Sequence, residues 1–326
     1  MTERAPVAPR LSIVVVAYNM SRELPRTLQS LSPGYQRGFP RDDYEVLVID
    51  NGSQPPVESD QFTDLGLNLR CLRNPTPQVS PVEAIQLGLR GARGQWIAVW
   101  IDGARLASPG LLASACEALQ RFPRAVVGSR GRYLGPGLQS ETMRRGYTRD
   151  VEDQLLEQSA WLQDGYRLFG ISVFDESSGP TWFDPPTESN SLFLSRELWT
   201  ELGGYDRRFT SVGGGLVNLD TWSRALALPG VTPIVLLGEA TFHQFHGGTM
   251  TNAADQLDRW QTLCAEYQAI RGHHWQWPTA PLQWWGTFSH TPPPGELVCR
   301  FRAWRTLGQK LHRGVWRLAR AVGLRR

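Results

Sequence analysis

The sequence lacks the features that would place it outside the ordinary globular classes. No apolar run approaches the roughly 20 residues needed to span a bilayer. The opening MTERAPVAPR carries no apolar stretch of the kind a secretory signal needs, so the expectation is a chain made and kept on the cytoplasmic side. Cysteine is scarce: Cys71, Cys116, Cys264 and Cys299 are the only four, and none forms a C-x-x-C pair. A chain of 326 residues does not need disulfides, which makes a reducing setting the default. Internal repeats are absent. With 41% apolar and 20% charged residues, disorder is excluded as well. No G-x-G-x-x-G follows the first apolar run, which argues against a dinucleotide-dependent dehydrogenase.

Acidic residues are missing from one region only. From Leu297 to Arg326 there are nine Lys or Arg and no Asp or Glu, so the net charge of +3 conceals a body with 25 basic against 31 acidic residues, about −6. That body offers no basic stripe with interleaved aromatics, so a nucleic-acid partner is not expected. In the tail, Phe301, Trp304, Leu307, Leu311, Val315, Leu318 and Val322 recur at three and four residues, with Arg302, Lys310, Arg313, Arg317 and Arg320 opposite. The spacing predicts a basic amphipathic helix over 297–326, suited to an anionic membrane interface. Docking on the acidic body or on a partner is the alternative.

What is present begins with two apolar, β-branched runs, Leu11 to Asn19 (LSIVVVAYN) and Tyr44 to Ser53 (YEVLVIDNGS). Each stops abruptly in small polar residues, the pattern of buried parallel strands whose carboxyl ends open into a crevice. Tyr18, Asn19, Asp50, Asn51 and Ser53 therefore reach one rim, where Asp50 can accept from a base N–H or a ribose hydroxyl while Asn51, Gly52 and Ser53 make a tight turn. Asn-Gly after a strand is equally plain turn chemistry. Further along, strand and helix patterns alternate to about residue 101, and a helix starts at Ser108-Pro109. RAVVGSRGRYL reads as a strand, 149–163 as helical and 231–237 as a strand. The aromatic, Pro-rich stretch from His273 to Glu296 matches no periodicity.

Five segments in order resemble the family-2 glycosyltransferases of the GT-A fold. They are the two strands, Ala84-Ile-Gln-Leu-Gly88 with Ala92-Arg-Gly94, Trp96-Ile-Ala-Val-Trp-Ile-Asp102, and Asn190-Ser-Leu-Phe-Leu with Leu198-Trp-Thr-Glu-Leu-Gly-Gly-Tyr-Asp206. The likeness runs from Leu11 to about Thr251. It implies an α/β fold, a Rossmann-like, mostly parallel sheet flanked by helices, here followed by the C-terminal amphipathic helix. The implied division is a flexible arm at 1–10, a GT-A domain at 11–252 with a nucleotide-sugar half (11–105) and an acceptor half (106–252), a helical and aromatic/Pro-rich extension at 253–296, and the basic helix.

Sugar transfer from a nucleoside diphosphate needs a grip on the nucleoside, positive charge on the leaving diphosphate, and a carboxylate to take the acceptor proton. Asp102 falls at the first acid of the family's Asp-X-Asp motif, but Asp102-Gly-Ala-Arg105 puts Ala104 where the last Asp holds a divalent ion. Two repairs stay open. Arg105 would place a guanidinium against the diphosphate; or His246, in His243-Gln-Phe-His-Gly-Gly, would hold Mn or Mg together with Asp102. His243 reads as a packing histidine. The family's Glu-Asp pair is also altered, since alignment on Arg224 puts Val217 and Asn218 there. Asp220, next to a Gly-rich turn, is the first candidate base and Glu188 the second. The resemblance thus implies an inverting enzyme moving a sugar from a nucleotide sugar to a surface-glycan or lipid-linked acceptor, peripheral on the inner face of the cell membrane. A catalytically silent GT-A domain that binds nucleotide sugar or glycan as a scaffold is the competing reading.

Overall fold

The computed structural model describes residues 8–246 and 256–298, with backbone alone at 256 and 257. The amphipathic helix expected at 297–326 lies outside the described residues, apart from its first two positions. Among the described residues there are ten strands: β1 (Leu11–Ala17), β2 (Tyr44–Asp50), β3 (Leu69–Arg73), β4 (Trp96–Trp100), β5 (Arg105–Ala107), β6 (Ala125–Leu134), β7 (Ser172–Phe174), β8 (Ser191–Ser195), β9 (Thr232–His243) and β10 (Gln283–Trp285). Eight α-helices accompany them: α1 (Glu23–Ser30), α2 (Val82–Gly91), α3 (Leu111–Arg121), α4 (Gln139–Thr142), α5 (Arg149–Ser159), α6 (Arg196–Leu202), α7 (Val217–Leu226) and α8 (Gln256–Arg271).

The strands form one sheet in the order β10-β9-β6-β8-β4-β1-β2-β3, with β5 on β9 and β7 on β6. β3, β2, β1 and β4 are mutually parallel, and β8 is inserted antiparallel between β4 and β6. In this register Ala17 lies opposite Asp50, and Asp50 opposite Arg73, so the strands release their loops at one rim. The chain crosses over through a helix after each of β1 and β3, which is how parallel strands must be joined.

Every residue of β1 and β2 is buried, because both faces of this half-sheet are covered. Ile13 and Val15 belong to the layer that holds Leu24 and Leu28 of α1 and Leu111, Leu112 and Ala115 of α3. Val14 and Val16 join Val82 and Ile85 of α2, with Trp199, Trp222 and Tyr267 further along the same face. At Gly88 a Cβ would sit 2.3 Å from Val14 Cγ1, so only glycine lets α2 approach β1 this closely.

The stretch without periodicity also joins this body. Trp284 Nε1 donates to Trp182 O (3.1 Å), Trp182 N–H donates to Glu296 O (2.8 Å), and Arg132 meets Glu296 at 2.8 Å. The expected extension at 253–296 therefore contributes an edge strand on β9 and an ion pair with β6.

Glu239 on β9 serves as a remote cap for α3. It is 3% exposed, with Oε2 accepting from Ser108 Oγ (2.5 Å) and Gly110 N–H (3.1 Å) and Oε1 from the Tyr166 hydroxyl (2.7 Å). Burial pushes its carboxyl up to about 7 from 4.5, and the donors offset this only in part. A carboxyl raised in the folded state stabilises below its unfolded pKa, and that contribution is lost as pH rises through the folded value. Denaturant melts from pH 4 to 8 are therefore expected to show wild type losing about 3 kcal/mol relative to Glu239→Gln. Parallel pH profiles for the two proteins would refute this assignment.

Candidate active site

The rim at the ends of β1 and β2 is a hydrogen-bonded lattice. Asn51 N–H donates to Ala17 O (2.8 Å), Asn19 N–H to Ser53 Oγ (3.0 Å), and Gln54 N–H to Asn19 Oδ1 (2.9 Å). Asn51 Nδ2 donates to Gln78 O and its Oδ1 accepts from Asn74 Nδ2, each at 2.8 Å, which draws in the loop after β3. Asn19 adopts φ 51°, a conformation its short amide tolerates better than most side chains.

Asp50 Oδ1 accepts from the amides of Gly52 (3.2 Å) and Ser53 (2.7 Å), and its Oδ2 meets Arg73 at 3.1 Å. Of the five rim residues expected from the sequence, Asp50, Asn51 and Ser53 are buried and engaged in building the turn. Tyr18, 56% exposed, stands at the mouth. Arg73 was not anticipated. Its signal was a charge at the end of β3, but only the register shows that it meets Asp50.

A second group gathers beyond β4. Asp102 lies two residues past that strand; its Oδ1 accepts from Ala104 N–H (3.0 Å) and its Oδ2 from Arg105 Nε (2.9 Å). β5 lies antiparallel on β9 with Arg105 opposite His243. The turn after β9 is fixed from three sides: Gln244 Nε2 donates to Glu23 O (3.0 Å), Glu152 accepts from Phe245 N–H (2.8 Å), and Arg149 Nη2 donates to His246 O (2.9 Å). As a result His243 Nε2 and His246 Nε2 are 3.0 Å apart, and one ligand atom from each of Asp102, His243 and His246 falls within 4.8 Å of the others.

Burial opposes ionisation of Asp102, but the Arg105 guanidinium, helped by the Ala104 amide, outweighs it and holds the carboxyl well below the usual range. Burial, then Arg105, pushes His243 well below 6.5, and burial lowers His246. Two neutral imidazoles and an ionised carboxylate form a ligand set that fits Mn²⁺ or a similar divalent cation. His243 Nδ1 and Arg105 Nη1 are buried and have no hydrogen-bond partner. His243, expected to be packing, thus joins the set that the sequence assigned to Asp102 and His246.

The third group is acidic. Asp175 follows β7, and its Oδ1 accepts from Ser177 Oγ (2.9 Å) and Ser178 N–H (2.8 Å). A Cβ at Gly131 would lie 1.9 Å from Asp175 Oδ2, so this glycine leaves room for the carboxylate. Glu188 Oε2 accepts from Asn218 Nδ2 (3.0 Å). Burial raises the Glu188 carboxyl and Asp175 adds to the rise, with Arg105 pulling the other way. Arg105 is in turn held protonated by Asp102, Asp175 and Glu188 against its burial. Its guanidinium pairs directly with Asp102, while Asp175 and Glu188 act on it only through their charge.

Asp220, the first candidate base, is corrected by the structure. It is 1% exposed on α7, with Oδ1 accepting from Arg271 Nε (2.5 Å) and Oδ2 from Arg224 Nε and Arg271 Nη2 (each 2.7 Å). A buried carboxylate held by two guanidinium groups is a clamp between α7 and α8, with both of its oxygens already engaged. A depression of about 290 Å³ walled by Leu89, Ile97 and Trp199 is no competing site: no carboxylate lines it, and its Arg196 is bonded to the carbonyls of Ala92 and Gly94.

A family model described as Glycosyl transferase family 2 matches residues 12–179, just over half of the chain. Among solved structures, S. aureus TarS is 16% identical with a TM-score of 0.48; the match covers 79% of this chain and 43% of TarS. Residues 1–349 of TarS, in complex with UDP-GlcNAc, are 16% identical with a TM-score of 0.50 and coverage of 79% and 66%. The mannosyltransferase PcManGT from Pyrobaculum calidifontis, in complex with GDP-Man and Mn²⁺, is 20% identical with a TM-score of 0.38 and coverage of 69% and 55%. This chain thus spans less than half the length of the full TarS structure. No curated protein matches it by sequence.

Proposed function

The chain belongs to glycosyl transferase family 2 and has the GT-A fold, and from that premise we propose that it moves a sugar from a nucleoside-diphosphate donor to an acceptor hydroxyl with inversion. The observation that carries the reading is the cation corner itself, where Arg105 Nε meets Asp102 Oδ2 at 2.9 Å and one ligand atom from each of Asp102, His243 and His246 lies within 4.8 Å of the others, with the charges of Asp175 and Glu188 acting on the same arginine. Tyr18 at the rim would stack on the base, with Asn19 and the Asp50–Arg73 pair beside it and Asn51 and Ser53 holding the loops. The diphosphate would then lie toward Asp102 and Arg105. Glu188 takes the proton from the acceptor hydroxyl as its oxygen bonds to the sugar's anomeric carbon. The bond from that carbon to the diphosphate breaks, and its electron pair leaves with the phosphate oxygen, whose charge Arg105 meets. One carboxylate acting in a single displacement gives inversion.

Asp102, His243 and His246 would hold a divalent cation, which when bound supplies further positive charge to the leaving diphosphate. The acceptor proposed is a surface-glycan or lipid-linked hydroxyl. The basic segment 297–326 would bring the protein to an anionic membrane from the cytoplasmic side. No described helix is long and apolar enough to cross a membrane.

Calorimetric titration with Mn²⁺ tests the corner. Wild type is expected to bind one ion, and His243→Ala and His246→Ala each to weaken binding by about 10- to 100-fold or more, the loss seen even for groups outside the ligand shell. No saturable binding by folded wild type would leave Arg105 as the sole cation, and Arg105→Ala would then abolish transfer that chelator spares.

A further inference from the structure

Asn218, 5% exposed in the first turn of α7, has its whole amide engaged. Its Oδ1 accepts from the Tyr205 hydroxyl (3.1 Å), and its Nδ2 donates to Glu188 Oε2 (3.0 Å) and Asn190 Oδ1 (3.2 Å). The orientation follows from chemistry, because an ionised carboxylate can only accept and must face the nitrogen. Asn190 immediately precedes β8, which is bonded into the sheet centre between β4 and β6, so this contact ties the group to the rigid body. The charges of Asp175 and Arg105 also act on Glu188, in opposite senses.

We infer that Asn218 is the positioning residue for Glu188, and that the 188–218 pair is built for one negative charge, which either of the two positions can carry. The inference rests on the reading of Glu188 as base. Two carboxylates here would lie about 3 Å apart and could not both ionise at neutral pH. A carboxylate at 218 facing an amide at 188 would keep the pairing with donor and acceptor exchanged. Tyr205 would still donate to the residue at 218, and Asn190 would satisfy the other oxygen by turning its amide. The resemblance that expects acid at 217–218 is then met in substance, the charge having moved from the helix to the loop before β8.

The test is a double-mutant cycle read in turnover, donor KM and thermal unfolding. Asn218→Ala should lower kcat about tenfold with donor KM unchanged, the pattern of a base left misdirected. Asn218→Asp should lower kcat more than tenfold, since its carboxylate competes with Glu188 for ionisation. Glu188→Gln with Asn218→Asp should fold as wild type does and exceed Glu188→Gln alone by at least about tenfold in kcat. A double variant that is folded yet no more active than Glu188→Gln, or one that fails to fold, overturns the exchange, as would full activity in Asn218→Asp. With wild type active, those results leave the proposed function standing; a wild type inactive with every donor removes both.

Discussion

Glu188→Gln is expected to lower turnover at saturating donor and acceptor about 10³-fold, within the range for removing a general base, while nucleoside diphosphate affinity and folding stay unchanged. The substitution preserves shape, and Asn218 Nδ2 still finds an oxygen at the position it now reaches at 3.0 Å. What disappears is what the mechanism requires of this side chain, a carboxylate able to take a proton. Burial and Asp175 raise that carboxyl above the ordinary glutamate range, which makes it a stronger base. Turnover of wild type should accordingly rise with pH along a limb set by the raised group, and Glu188→Gln should lose that limb. Steady-state rates across pH, with calorimetry as the binding control, decide it. Activity within threefold of wild type would eliminate Glu188 as base.

Asp102→Ala should be the most destabilising change at the site. It removes the carboxylate paired with Arg105 at 2.9 Å, and the side chains are only 19% and 10% exposed. An uncompensated buried charge costs about 3–5 kcal/mol; Asp175 and Glu188, which also stabilise the Arg105 charge, place the expectation near the lower figure. Removing the arginine as well, in Asp102→Ala with Arg105→Leu, should recover most of the stability and none of the Mn²⁺ binding. Denaturant midpoints for the three proteins test this. Equal stability of Asp102→Ala and wild type would mean that the pair contributes nothing to the fold.

The first half of the sheet was legible because β1 and β2 are unbroken β-branched runs bounded by Asn and Gly, and two covered faces leave no other reading. Their side-chain roles were less so. Asp50 looks like a ligand group in sequence, but a carboxylate two and three residues before free amides folds back on them, and its second oxygen meets an arginine from the neighbouring strand. Asp220 misleads similarly. Arg224 at i+4 was visible as a partner, whereas Arg271 arrives 51 positions later on α8. His243 could not be told from packing because its place opposite Arg105 depends on an antiparallel pairing across more than a hundred residues. The aromatic stretch near the C-terminus has no period to read, since its residues are fixed singly by Trp182 and Arg132.

The central claim is that this crevice turns over a nucleotide sugar. Its most direct test is the release of nucleoside diphosphate by the purified protein from a panel of uridine, guanosine and thymidine diphosphate sugars, with Mn²⁺ present and with chelator. The account predicts that at least one donor is cleaved slowly to water without acceptor, faster with Mn²⁺, and that Asp102→Ala and Glu188→Gln both suppress the release. Saturable binding of a nucleotide sugar with no release from any member of the panel, by a protein shown to be folded, would contradict the account and mark the domain as a silent scaffold.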